Sequence, residues 1–237
     1  MRNEDTLLKK KIFFVTGTDT DSGKTFVSCS ILCAAQGQGY STAAIKPVAA
    51  GVSNSSQGLQ NEDVIALAEH CSLPLTLSDI NPVCFKEPIA PHIAAGREGI
   101  TLNARNIAEQ CQKIINMQAD LTLIEGAGGW KVPLSEQETM ADIAKTLGIP
   151  VILIVGMRLG CLNHALLTAQ SILADGVSLA GWIANQIDPE MSVYQENLST
   201  LVNLMPAPML AEIPRLDDED GVSQASRFID VEKILSA

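Results

Sequence analysis

The stretch Gly17-Thr-Asp-Thr-Asp-Ser-Gly23-Lys24-Thr25 joins a short β-rich run to helix-forming sequence. Glycines at its ends let the backbone turn sharply and present N–H groups to an anion. A helix starting at Lys24 adds partial positive charge. Lys24 has the reach for β- and γ-phosphates, and the Thr25 hydroxyl can ligate Mg²⁺. This is the phosphate-loop pattern, in its required strand-to-helix setting. Five residues rather than four separate Gly17 from Gly23, and two of them, Asp19 and Asp21, are acidic. A loop enlarged by one residue leaves room for a second substrate beside the nucleotide.

Three further positions carry matching chemistry. Glu125 ends a buried apolar run, where a second metal-binding acid belongs. Asp63 opens a helix after the loop Gly51 to Asn61, which reads as flexible. Two carboxylates, phosphate oxygens and waters are the usual Mg²⁺ shell in phosphoryl-transfer sites. Lys46 ends a second apolar run, on the strand next to the phosphate loop, with Pro47 fixing the exit. It reads as a functional cation. Asn185 ends a later run.

These residues need elements to position them. The apolar, β-rich runs are Lys11–Thr16, Thr42–Ile45, Leu121–Ile124, Val151–Val155, Leu179–Ala184 and Pro208–Ile213. Helical patterns cover Lys24–Gln36, Glu62–His70, Leu102–Met117, Thr139–Leu147, Asn163–Ala174 and Gln195–Leu204, with a closing helix over Ser223–Leu235. Strands that are apolar throughout, alternating with helices, mark a parallel sheet covered on both faces. The expectation is one α/β domain over residues 1–237, a mostly parallel sheet flanked by helices in three layers, like a P-loop NTPase. Ligands in such folds bind at the carboxyl ends of the strands. Gly17–Thr25, Lys46, Glu125 and Asn185 all fall there.

Composition narrows the partners. The chain has 237 residues, 27 acidic and 16 basic, for a formal charge of −11. That balance argues against a nucleic-acid or anionic-membrane binder, which needs a basic face. The acidic stretch Asp217–Asp220 reads as a solvated loop. The 6 cysteines form no C-x-x-C pair and read as reduced thiols in a cytoplasmic protein. The start, Met1 to Lys11, is charged where a secretory signal is apolar. Val151–Val155 is too short to span a bilayer.

Six motifs now stand in order along the chain: G-T-D-T-D-S-G-K-T (17–25), K-P-V-A-A-G (46–51), E-G-A-G-G-W (125–130), P-V-I-L-I-V-G-M-R-L-G-C-L-N-H (150–164), G-W-I-A-N (181–185) and E-I-P (212–214). Together the sequence resembles the dethiobiotin synthetases. The resemblance implies a homodimeric, Mg²⁺- and ATP-dependent ligase. Such an enzyme converts 7,8-diaminopelargonate and CO₂ (bicarbonate) to dethiobiotin, ADP and phosphate, through a carbamate and a carbamic–phosphoric anhydride. It implies Thr25, Asp63 and Glu125 as metal ligands, and Lys24 and Lys46 as catalytic cations. ATP would meet Asp21, Ser22, Gly23, Lys24, Thr25 and Phe26, then Asp63, Glu125, Gly126, Ala127 and Gly128. Adenine would meet Asn185, Gln186, Pro214, Arg215 and Leu216. The second substrate would meet Thr20 and Lys46. Its carboxylate tail would reach Leu159, Gly160, Cys161 and Asn163 of the partner subunit. Ala50 stands where many members carry a hydroxyl. His92, after the strand-like segment in the 80s, reads as a cleft residue or a packed one, and Trp130 and Trp182 as core. The competing class is a nucleotide-switch ATPase of the partition or septum-positioning type. Those carry a signature lysine where this chain has Thr18.

Overall fold

Phe13 and Phe14 explain why the sheet is covered on both sides. Neighbours on one strand, they point to opposite faces and are both fully buried. The computed structural model describes residues 10–55, 58–216 and 220–237. Most of the charged start and residues 217–219 of the acidic stretch lie outside these.

In chain order the elements are β1 (Lys11–Gly17), α1 (Lys24–Gly37), β2 (Thr42–Ile45), β3 (Val48–Ala50), β4 (Ser53–Ser55), β5 (Gly58–Gln60), α2 (Glu62–Glu69), α3 (Leu77–Ile80), β6 (Val83–Phe85), α4 (Pro91–Arg97) and α5 (Ala104–Ile115). Then come β7 (Leu121–Gly129), α6 (Met140–Leu147), β8 (Val151–Met157), α7 (Cys161–Ala174), β9 (Leu179–Gln186), α8 (Tyr194–Leu204), β10 (Met209–Ile213), α9 (Gly221–Ala225) and α10 (Val231–Ser236). The main sheet has 6 strands in the order β10-β9-β8-β1-β7-β2. Its pairings are all parallel. On one face Phe13, Val15 and Leu123 pack under α1 and α2, with α9 and α10 closing the layer. On the other, Phe14 and Ile124 meet α5 and α6, while Leu153 and Val155 meet α7 and α8. This is the three-layer parallel α/β architecture expected.

Four differences from the expected elements have physical causes. Strand β2 is not beside the phosphate loop: β7 lies between β1 and β2. The K-P-V-A-A run leaves the main sheet, because Pro47 breaks the strand and the Lys46 N–H turns to the Ile80 carbonyl at 2.8 Å. The following β3 instead pairs with β6 in a small parallel sheet. Within the loop 51–61, β4 and β5 form an antiparallel ribbon, so that segment is not simply a flexible loop. The single closing helix is divided. Ile229 is extended, with φ −93° and ψ 118°. Asp230 then caps a new helix by accepting from the Lys233 N–H.

The helix starts divide into two kinds. Asn61, Asn103 and Thr76 cap α2, α5 and α3 with side-chain oxygens. By contrast, α1 begins at Gly23 (φ 83°) and α7 at Gly160 (φ 96°), neither with a side-chain cap. The first N–H groups of α1 are left for another acceptor, whereas at the start of α7 the Cys161 N–H donates to the Arg158 carbonyl at 3.0 Å.

Candidate functional site

A cleft of about 650 Å³ opens at the carboxyl ends of β1, β7 and β2. Thr20, Lys24, Thr25, Lys46, Asp63 and Gly128 line it. Charged yet buried groups line it, Lys24 at 7% and Lys46 at 5% exposure, with Glu125 at 0% behind them, outside the lining itself. Strand register accounts for this meeting. Ile45 pairs with Ile124, so Lys46 and Glu125 leave neighbouring strands at the same level.

Lys46 binds two carboxylates at once. Its Nζ donates to Glu125 Oε1 at 2.8 Å and forms an ion pair with Asp63 Oδ2. The Thr25 hydroxyl donates to the same Glu125 oxygen at 2.6 Å. Burial opposes charge on Lys46, but Glu125 and Asp63 more than offset it and hold the lysine above its usual range. Burial opposes charge on Asp63, but Lys46, the Thr25 hydroxyl and Lys24 together outweigh it and hold the carboxyl below the ordinary carboxylate range. Lys24 sits below the usual lysine range: burial lowers it more than Glu125 raises it. Its Nζ rests on the Asp19 carbonyl at 3.3 Å.

The same cluster suits a divalent cation. Glu125 Oε2 is buried without a hydrogen-bond partner, Asp63 faces it across Lys46, and the Thr25 hydroxyl adjoins. Two carboxylates and a hydroxyl, with room for phosphate oxygens and water, are a hard-oxygen set of the kind Mg²⁺ takes. Among the described residues no group of three or more His, Cys, Asp or Glu forms a metal site. A cation here therefore leans on its other ligands.

The phosphate loop turns through two left-handed residues, Asp21 (φ 59°) and Gly23 (φ 83°). A Cβ on Gly23 would lie 2.1 Å from the Asn185 amide nitrogen. That nitrogen donates to the Ser22 carbonyl at 3.0 Å. Beyond the loop a second groove of about 540 Å³ is lined by Phe26, Asn185, Gln186, Pro214, Arg215 and Leu216, among others. It shares Asp21, Gly23 and Phe26 with the first cleft, so the two form one trough across the phosphate loop.

Comparison with known proteins decides the family. Residues 11–223 match a family described as an AAA domain. The ATP-dependent dethiobiotin synthetase BioD of Pseudomonas aeruginosa (strain UCBPP-PA14) is 52% identical over 216 residues, covering 91% of this chain and 95% of that protein. The protein of that name from Cellvibrio japonicus is 48% identical over 230 residues, 97% of this chain and 100% of its own length. BioD 1 of Escherichia coli K12 is 44% identical over 221 residues, 93% and 98% of the two chains. This chain belongs to the dethiobiotin synthetase family. Solved structures add the fold alone. The MinC:MinD cell division complex of Aquifex aeolicus matches at TM-score 0.56 and 14% identity, over 95% of this chain and 93% of that one. A ParA family ATPase from Chlorobium tepidum matches at 0.54 and 14%, with the same coverage.

In this dethiobiotin synthetase chain the expected residues do not all gather in the trough. Ser22 is 1% exposed with its Oγ unpartnered, so it offers backbone only. Gly126 is turned away: a Cβ there would lie 3.1 Å from the Phe14 ring. Ala127 and Gly128 do line the cleft. Leu159, Gly160, Cys161 and Asn163 are absent from both lining sets. Leu159 is 94% exposed, while Cys161 is 2% exposed and packs in the core. Pro91 lines the cleft but His92 does not; its Nδ1 is buried without a partner. Trp130 and Trp182 are core, at 2% and 0% exposure. Ala50 lines the cleft.

One role of an expected residue, and several further residues, escaped the sequence reading. Asn185 props the phosphate loop through Ser22, as well as facing the second groove. Arg158 lines that groove and pairs with Asp19 at 2.8 Å. The run Pro88-Ile89-Ala90-Pro91 forms a wall of the cleft. Its two prolines were a signal of a rigid surface segment, but nothing in their spacing said which surface.

Proposed function

We propose that this chain converts 7,8-diaminopelargonate, CO₂ and ATP to dethiobiotin, ADP and phosphate, with Mg²⁺ held by Thr25, Asp63 and Glu125. The family supports the reaction. The observation that carries the site is the buried contact of Lys46 with both carboxylates, beside the phosphate-loop Lys24. A carbamate and a triphosphate are both anions and repel. Two cations fixed between them before reaction lower that barrier without reorganisation. In this reading Lys24 and the N–H groups of the phosphate loop bind the β- and γ-phosphates. Lys46 stands between the transferred phosphoryl group and the carbamate oxygen that attacks it. Bound Mg²⁺ supplies further charge neutralisation at the phosphates. The adenine occupies the groove of Phe26, Asn185, Gln186, Pro214, Arg215 and Leu216, and Thr20 faces the diamine.

The tail site is proposed between two copies of the chain. Helix α7 opens on the surface without a side-chain cap, where Leu159 and Leu167 are exposed at 94% and 57%, and its Cys161 N–H turns back to the Arg158 carbonyl. An uncapped helix start beside apolar side chains suits the carboxylate and alkyl chain of a substrate held in a partner's cleft. The free cysteines fit a cytoplasmic setting. No helix among the described residues is long and apolar enough to cross a membrane.

The test is phosphate release. Release is expected only when Mg²⁺, ATP, diaminopelargonate and bicarbonate are all present, with stoichiometric dethiobiotin detected by mass spectrometry. Rapid release without the diamine would overturn the reading and point to a switch ATPase.

A further inference from the structure

Asp175 closes helix α7 as its C-terminal cap residue. A carboxylate there faces the negative end of the helix dipole, an unfavourable position. Two donors offset it. The Trp130 indole Nε1 donates to Asp175 Oδ2 at 2.7 Å, and Lys131 Nζ contacts both carboxylate oxygens at 2.6 and 2.8 Å. Burial disfavours the Asp175 charge, but the hydrogen bonds from Lys131 and Trp130 prevail and keep it ionised.

The residues so held form a strap leaving β7. The strap is a thin wall. On one side Gly128 and Val132 face the cleft of about 650 Å³. On the other, Gly129 to Pro133 face a second hollow of about 450 Å³, closed by Leu167, Thr168 and Ser171 of α7. Val132 and Thr20 border both. The strap also approaches Thr20 closely: a Cβ on Gly128 would lie 2.8 Å from Val132 Cγ2 and 3.5 Å from Thr20 Oγ1. Backbone bonds from Ala141 to Trp130 and from Met140 to Val132 hold its α6 side. The Trp130 ring braces it on Phe14 of β1, edge-on at 6.0 Å. Its link to α7 runs through Asp175, which holds Trp130 and Lys131 together.

We propose that Asp175 is a positioning residue for the diamine side of the cleft, holding the 128–132 strap and so the spacing of Gly128 and Val132 from Thr20. The proposal rests on the functional reading above. It acts on the second substrate more than on ATP: the nucleobase groove contains no strap residue, and Gly128 is the one strap residue expected beside the phosphates.

The experiment compares Asp175→Ala and Asp175→Asn with the parent, each also in a Trp182→Phe background so that emission reports Trp130 alone. Asp175→Ala is expected to raise KM for diaminopelargonate about tenfold, as a displacement of the strap on the order of 1 Å would. KM for ATP and kcat are expected to stay within about twofold. Trp130 emission is expected to shift to the red as displacement of the strap opens the indole, 2% exposed in the parent, to water. Asp175→Asn keeps an oxygen for the indole N–H and the shape of the side chain, and is expected to recover most of the KM and the emission. Equal rises in both KM values, or an emission shift with KM for the diamine unchanged, would overturn the proposal and leave the tether purely structural. Parent enzyme that fails to turn over diaminopelargonate would refute the functional reading instead, and the emission comparison would still report on the tether.

Discussion

Replacing Lys46 by methionine keeps the unbranched stem, one atom shorter, and removes its charge, so packing changes little. The loss is electrostatic and divides between two carboxylates. Glu125 is 0% exposed, and without Lys46 its Oε1 keeps only the Thr25 hydroxyl, while Oε2 already lacks a partner. Removing one partner of a buried ion pair costs about 3–5 kcal/mol. The Asp63 side chain is 44% exposed, so that arm is worth about 0–1 kcal/mol. Lys46→Met is therefore expected to lower unfolding free energy by about 3–5 kcal/mol without divalent metal, read by urea denaturation. Adding Mg²⁺ is expected to return much of this, since a cation bound by Asp63 and Glu125 takes up the charge that Lys46 balanced. In the parent the Lys46 ammonium already balances these carboxylates, so Mg²⁺ is expected to stabilise it less. Turnover is expected to fall about 10²- to 10³-fold, or roughly 2.7–4 kcal/mol of transition-state stabilisation, as for loss of one preorganised charge-binding group. ATP binding, which rests on the phosphate loop, is expected to persist in a calorimetric titration. Turnover within about threefold of the parent would refute the catalytic role. A stability loss of the same size with and without Mg²⁺ would refute the binding of Mg²⁺ by Asp63 and Glu125.

Gly23→Ala places a Cβ on a left-handed residue at 2.1 Å from the Asn185 amide. The backbone strain costs about 1–2 kcal/mol, and loss of the Asn185–Ser22 bond about 1–3 kcal/mol; a thermal melt and a nucleotide titration should both show the damage, and an unaltered ATP affinity would show that the loop tolerates displacement. Among the cysteines, Cys84 is exposed while Cys111 is buried, with its thiol pushed up to about 12. A thiol reagent on the native protein at mild alkaline pH should label Cys84 well before Cys111, and mass mapping that finds Cys111 first would contradict the packing of α5 on the sheet.

The phosphate loop, the parallel sheet and the polar residues at the strand ends were legible in the sequence because they are local. A phosphate loop is set by a few consecutive residues, and a doubly covered strand by its own apolar run. The same locality put Lys46, Asp63, Glu125 and Asn185 in view as candidates. What joins them is not local. Strand β7 enters between β1 and β2 from some eighty residues away in sequence, and only that insertion sets Glu125 against Lys46 and Thr25. Asn185 looked like a base-reading amide, but the close approach of β9 to Gly23 also makes it a prop for the loop. Pro47 announced a break, yet where β3 went depended on a partner, β6, supplied much later in the chain. The P-I-A-P wall and the Asp175 tether left no trace in spacing. A carboxylate at a helix end reads as an ordinary solvated acid until the Trp130 indole is found bonded to it. The sequence determined which chemical groups stand at the ends of strands. Tertiary packing decided which of them share a buried charge, because Coulomb and hydrogen-bond energies depend on distances of a few ångströms that chain separation does not encode.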